Sequence, residues 1–65
     1  MPTGYYLACL DTYRYVWIGA LGGTTSTVGV EADLVSRFCL EHRNKTLIVV
    51  SETHPVVEEG HEWSL

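Results

Sequence analysis

The chain has 65 residues, of which 46% are hydrophobic and 18% are charged, and its formal net charge is −4 at pH 7. This apolar composition excludes an intrinsically disordered chain. The chain has four basic and eight acidic residues, and this excess of negative charge argues against binding to nucleic acid or to an acidic membrane surface. A domain of this size buries only about 60% of the surface that its unfolded chain exposes, so a partner or a cross-link usually supports it.

The cysteine content and the N-terminal residues bear on the compartment. Cys9 and Cys39 are the only two cysteines, too few for the disulfide framework of a small secreted domain. Residues 1–4 carry no basic side chain, and no apolar run reaches the length of a signal sequence or a membrane span. These features predict one cytoplasmic domain over residues 1–65.

The first half of the chain has a hairpin pattern followed by a loop pattern. Residues 4–10 and 15–20 are rich in aromatic and β-branched side chains, and the polar pair Asp11-Thr12 between them is typical of a turn. Residues 22–27 read GGTTST, and such small polar side chains predict a loop.

Residues 30–42 have the most regular helical pattern in the chain. Their apolar side chains recur along one helical stripe, formed by Val30, Leu34, Val35, Phe38 and Cys39. Residues 46–51 follow with four aliphatic side chains in a row, which predicts a strand covered on both faces. Residues 52–65 contain four glutamates and predict an acidic, partly flexible tail, in which Val56, Val57 or Trp63 could fold back as an anchor.

The element order ββαβ predicts a small two-layer α+β domain, with a three-stranded, mainly antiparallel sheet and one helix on one face. The strand after the helix is expected to run parallel to the second strand. We expect it to lie beside the first strand, because residues 5–10 are apolar on both faces and suit a central position.

A hairpin turn with an even number of residues sorts the side chains of the two strands into two faces. The aliphatic face suits the helix stripe and carries Leu7, Cys9, Val16 and Ile18. The aromatic face has no predicted cover, because the glutamates of the tail suit aromatic rings poorly; it carries Tyr6, Ala8, Leu10, Tyr15 and Trp17.

Monomeric soluble proteins rarely leave so large an apolar patch in water. The sequence therefore predicts a non-catalytic interaction protein that forms a homodimer, or binds another protein, through its aromatic face. The interface residues would be Tyr6, Leu10, Tyr15 and Trp17, with Trp63 as an anchor in the tail. The apolar edge of residues 47–50 is a second route to pairing with another chain.

A ligand-binding or enzymatic module is the alternative function. Backbone amides at the N-terminus of a helix bind anions. The loop before the predicted helix would supply these amides from Gly22, Gly23, Thr24 and Thr25, and Glu31 or Asp33 would add polar contacts. The lysine of a phosphate-binding loop is missing from this segment.

Cys39 and His42 lie one helical turn apart, a spacing that suits two zinc ligands. A structural zinc site needs four ligands, however, and a cysteine on an apolar stripe is more often a small buried hydrophobe. No metal, cofactor or catalytic residue is therefore predicted.

Overall fold

The computed structural model describes residues 3–29 and 32–64, and for Thr25 it describes the backbone alone. Five strands and two helices lie within these residues. In chain order they are β1 (Thr3–Cys9), β2 (Arg14–Gly22), β3 (Thr25–Val28), α1 (Ala32–Glu41), β4 (Leu47–Ser51), α2 (Pro55–Glu59) and β5 (His61–Glu62).

The strands form one sheet in the order β3-β2-β1-β4, and its neighbours are antiparallel. The short strand β5 pairs parallel with the start of β2. The α+β class is confirmed, and β1 lies between β2 and β4, so that β4 runs parallel to β2 as predicted. The sheet has more strands than the three that the sequence predicts.

The predicted loop over residues 22–27 is wrong, because Thr25–Val28 form the edge strand β3. A two-residue turn, Gly23-Thr24, joins β2 to β3. Gly23 has a φ of 58°, as the first central residue of a type II′ hairpin turn requires. The β-branched threonines suit this strand once β2 provides a partner.

The hairpin between β1 and β2 has a four-residue turn, residues 10–13. Because four is an even number, the predicted faces hold: Leu7 lies opposite Val16, and Tyr6 lies opposite Trp17. Between Tyr5 and Tyr6 the register shifts, which is the signature of a β-bulge.

The aliphatic face forms the first half of the core. Cys9, Val16 and Phe38 are fully buried in one cluster, and Leu34 and Val35 of α1 pack against it. The prediction that α1 covers the aliphatic face is therefore confirmed for these residues.

Two other core predictions differ from the structure. Cys39 is exposed rather than buried, because it lies one residue beyond Phe38 and so on the flank of α1. β4 is not covered on both faces: Val50 is buried, whereas its neighbour Val49 points to the other face and is exposed. Val30, the first predicted core residue of the helix, lies outside the described residues.

The aromatic face is covered by the C-terminal segment, contrary to the expectation that the tail leaves it open. Val56 of α2 is fully buried against Ala8 and Val50. Tyr6 and Tyr15 pack against the same cluster and meet edge to face, with their ring centroids 5.2 Å apart. The expectation failed because Val56, with Val57 beside it, supplies the cover.

The glutamates of α2 do not prevent this packing. Glu58 and Glu59 are exposed, whereas Val56 and the half-buried Val57 lie toward the sheet. His54 begins the helix by accepting a hydrogen bond at Nδ1 from the N–H of Val56, at 3.1 Å. The helix is therefore amphipathic despite its length of five residues.

Candidate functional site

Helix α1 covers only half of the aliphatic face, the half next to the β1–β2 turn. In the part of the chain that the structure describes, the other half is a shallow hollow of about 420 Å³. We call it the open apolar half; its larger apolar side chains are Tyr5, Ile18, Leu21, Val28 and Val49. An exposed apolar patch of this kind marks an interaction site more often than chance.

Strand register explains why these side chains lie together. Val28, Gly19 and Tyr5 occupy one row across β3, β2 and β1. Gly19 has no side chain, so the row is deepest at its centre. A Cβ at this position would overlap the carbonyl oxygen of Thr27, and the φ of 153° disfavours other residues. The bulge and Gly19 thus shape the hollow.

Three aliphatic side chains of the open apolar half are more exposed to solvent than aliphatic side chains usually are. Leu21 is 55% exposed, Val49 is 63% exposed and Val28 is 78% exposed. They come from three strands, β2, β4 and β3, so the patch spans the width of the sheet. This surface is not predicted from the sequence, because residues 22–27 have the composition of a loop and the four aliphatic residues of β4 indicate a strand covered on both faces.

The predicted interface residues do not form one surface. Tyr6 and Tyr15 are half-buried beside α2, and Trp17 on the same face is 37% exposed. Leu10 lies in the β1–β2 turn. Trp63 packs on the opposite face, edge to face with the ring of Phe38 at 5.7 Å, and so does not join the others.

Burial raises the pKa of the Tyr6 phenol above its usual value, and repulsion from Tyr15, Glu52 and Glu62 raises this pKa further. The Glu52 carboxylate also accepts a hydrogen bond from the N–H of Gly4, at 3.1 Å. The shift moves the pKa further above physiological pH, where a tyrosine phenol is in any case neutral and can donate a hydrogen bond.

The residues of the predicted anion site lie in a hairpin. Gly22, Gly23 and Thr24 end β2 and form its turn, and Thr25 begins β3. The described part of α1 begins only at Ala32, so β3 separates these residues from the helix on whose N-terminus the prediction depends. Asp33 is exposed in the first turn of α1, and Glu31 lies outside the described residues.

His42 is buried, and both of its ring nitrogens have partners. Nδ1 lies 2.8 Å from the carbonyl oxygen of Phe38, so it carries the proton and donates. In this tautomer Nε2 accepts a hydrogen bond from the Thr12 hydroxyl, at 3.0 Å. Both ring nitrogens of His42 are thus used within the fold, and Cys39 is exposed, so these two residues do not form a zinc site. Residues 3–29 and 32–64 contain no cluster of three metal-ligating side chains.

Replacing Thr12 by valine is expected to lower the free energy of unfolding by about 1 kcal/mol, because Nε2 of His42 loses its donor. Thr53→Val is the matched control, since the Thr53 hydroxyl bonds only to Ser51 at an exposed position and should matter by less than about 0.5 kcal/mol. Urea unfolding followed by circular dichroism measures both, and equal midpoints would show that the Thr12–His42 bond is not stabilising.

Comparison of the chain with protein-family models, curated proteins and solved structures gives no significant match. Neither of the two helices in the described residues is long and apolar enough to cross a membrane. Function is therefore inferred from the surface itself.

Proposed function

We propose that the protein is a non-catalytic interaction protein that associates with a second copy of itself through the open apolar half of its sheet. The observation that supports this proposal is the joint exposure of Leu21, Val28 and Val49 on one side of the sheet. As part of the same proposal we place the protein in the cytoplasm, where thiols such as those of Cys9 and Cys39 stay reduced.

Removing these side chains from water supplies the driving force. Burial of apolar surface in the interface stabilises the dimer by about 25 cal/mol per Å². A domain this small has a small core, so this contribution is large relative to its own stability. A stable dimer covers about 800 Å² on each partner. The domain has a total accessible surface of 4592 Å², so this interface would cover a substantial part of it.

The proposed surface differs from the aromatic face that the sequence indicates. α2 covers the centre of the aromatic face through Val56, whereas nothing in the described residues covers Val28 in the same way. Trp17 is the largest side chain of the aromatic face that stays exposed. Trp17→Ala should therefore leave the association unchanged.

Val28→Lys tests the proposal. A lysine in the interface would have to be desolvated, so association should weaken by at least about tenfold. The added positive charge reduces the magnitude of the net charge of −4, so the overall repulsion between copies does not increase. Sedimentation equilibrium measures the dissociation constant.

Leu40→Lys is the matched control, because Leu40 is an exposed leucine on α1, outside the open apolar half. It should associate as the wild type does. If Val28→Lys and Leu40→Lys have equal dissociation constants, the open apolar half is not the interface.

A further inference from the structure

The charged side chains are divided unevenly between the two sides of the sheet. Residues 46–65 contain none of the four Lys and Arg residues and four of the eight acidic ones, Glu52, Glu58, Glu59 and Glu62. This segment includes α2, which covers the centre of the aromatic face. Arg37 lies on α1, and Arg14 lines a surface hollow with Trp63, so both belong to the aliphatic side. The border of the aromatic face is therefore acidic.

Three side chains converge above Gly4, which is buried on β1. A Cβ at this position would lie 3.1 Å from Oε2 of Glu52 and 3.5 Å from Nε1 of Trp17, and a ring carbon of Tyr6 would follow at 3.8 Å. The N–H of Gly4 donates to the same Oε2, so the carboxylate is held beside the indole. Glu52 is exposed, and its second carboxylate oxygen is available to another donor.

Aromatic rings extend from this point across the face. Trp17 lies opposite Tyr6 in the register of β1 and β2, and it is 37% exposed. The ring of Tyr15 meets that of Tyr6 edge to face at 5.2 Å. The exposed Glu62 lies beside Tyr15 in the register of β5 with β2. We call this surface the acidic aromatic patch; it consists of Tyr6, Tyr15, Trp17, Glu52 and Glu62.

The electrostatic field at the centre of the patch favours a cation. The pKa of the Tyr6 phenol is raised by burial and, beyond that, by Tyr15, Glu52 and Glu62. Each of these three neighbours disfavours a further negative charge on the phenol. A positive charge at the same place would be attracted by the two carboxylates and by the faces of the rings.

We infer that the acidic aromatic patch binds a basic segment of a partner protein, with an arginine side chain against Trp17 and Tyr6 and its guanidinium paired with Glu52. A guanidinium suits this combination, because it stacks on aromatic rings and donates hydrogen bonds to carboxylates in one plane. This inference goes beyond the proposed function. The patch and the open apolar half lie on opposite faces of the sheet, so self-association leaves the patch accessible.

NMR of the full chain with a blocked peptide of glycine and arginine tests the inference. The control peptide carries citrulline, which is neutral and has nearly the same shape, in place of arginine. Each of the two tryptophans gives one indole N–H signal, and Trp17→Phe assigns them. The arginine peptide should move the Trp17 signal and leave that of Trp63, which packs on the other face, in place. The citrulline peptide should move neither.

Glu52→Gln separates the local charge from the net charge. The glutamine oxygen still accepts from the N–H of Gly4, so the fold should be retained, whereas the arginine peptide should bind about fivefold more weakly. Glu58→Gln is the matched control, because it removes the same single charge from an exposed position on α2. It should bind the peptide as the wild type does.

Trp17→Ala tests the aromatic contribution. Loss of the indole removes the largest exposed ring of the patch, so the arginine peptide should bind about tenfold more weakly. The shifts of other signals in the patch measure this binding, and Trp17→Phe should retain part of it. If Trp17→Ala does not fold, the comparison of Glu52→Gln with Glu58→Gln still decides the question.

Three results would overturn the inference. The Trp17 signal could stay in place at millimolar arginine peptide, or move equally with the citrulline peptide. Glu52→Gln and Glu58→Gln could bind equally, which would mean that the peptide senses only the net charge. The Trp17 signal could also move when the protein alone is concentrated, which would mean that a second copy occupies the patch. A monomeric wild type, in contrast, overturns the proposed function and leaves this inference standing.

Discussion

Replacing Phe38 by alanine is expected to unfold the domain or to lower its free energy of unfolding by about 3–5 kcal/mol. Phe38 is fully buried on the aliphatic face, where its ring stacks on His42 at 4.3 Å and meets Trp63 edge to face. Its removal leaves a cavity between α1 and the sheet. A domain of this size has only about 3–5 kcal/mol of stability to lose.

Leu40→Ala is the control for this change, because Leu40 lies on the same helix and is 65% exposed. Its effect should stay within about 0.5 kcal/mol. Thermal unfolding followed by circular dichroism compares the two. A cooperative transition of Phe38→Ala at the wild-type midpoint would mean that α1 does not pack on the sheet as described.

Replacing Gly60 by alanine is expected to detach α2 and β5 from the sheet and to destabilise the domain by about 3 kcal/mol. A Cβ at this position would overlap the carbonyl oxygens of Tyr13 and Val56. Both are backbone atoms fixed by hydrogen bonds: the N–H of Gly60 donates to Val56 and that of His61 to Tyr13, at 2.9 and 3.0 Å. The backbone therefore cannot move aside without losing them.

Gly23→Ala is the matched control, because a Cβ there meets no atom within 4 Å. Its cost is the positive φ alone, about 1 kcal/mol. Hydrogen exchange distinguishes the two variants, since detachment raises the exchange of residues 55–62 only in Gly60→Ala. Equal exchange there in both variants would show that the approach of Gly60 to Tyr13 does not hold the tail.

Local patterns were sufficient for the parts of the fold with regular periodicity. The alternation along β1 and β2 sorted Leu7 and Tyr6 onto their faces, because the turn has an even number of residues. The helical stripe identified Phe38 as core because ten residues of α1 give nearly three turns. The central position of β1 followed from its apolar side chains on both faces.

The remaining elements depend on contacts between distant residues. β3 has the composition of a loop and becomes a strand only beside β2. α2 is too short for a periodic signal, and the burial of Val56 depends on how closely Gly60 approaches Tyr13. His42 is buried because Thr12, thirty residues earlier, supplies a hydroxyl to its ring.

The candidate site depended on the same missing elements. Because the sequence does not predict β3, it assigns Val28 to no strand and to no face of the sheet. The open apolar half could therefore not be predicted. Without α2, the aromatic face was the surface that lacked cover. Two parts of the site are predictable from the sequence. Ile18 belongs to the aliphatic face by strand alternation, and the apolar edge of β4 is evident because it has four consecutive aliphatic residues.

Sedimentation equilibrium of the full chain near neutral pH, over a wide range of concentrations, tests the proposed self-association most directly. The chain mass is 7.3 kDa. Association through the open apolar half predicts an average mass that rises with concentration and levels off at twice this value. A mass that stays at 7.3 kDa at every concentration would contradict self-association. The open apolar half would then have to bind a different molecule.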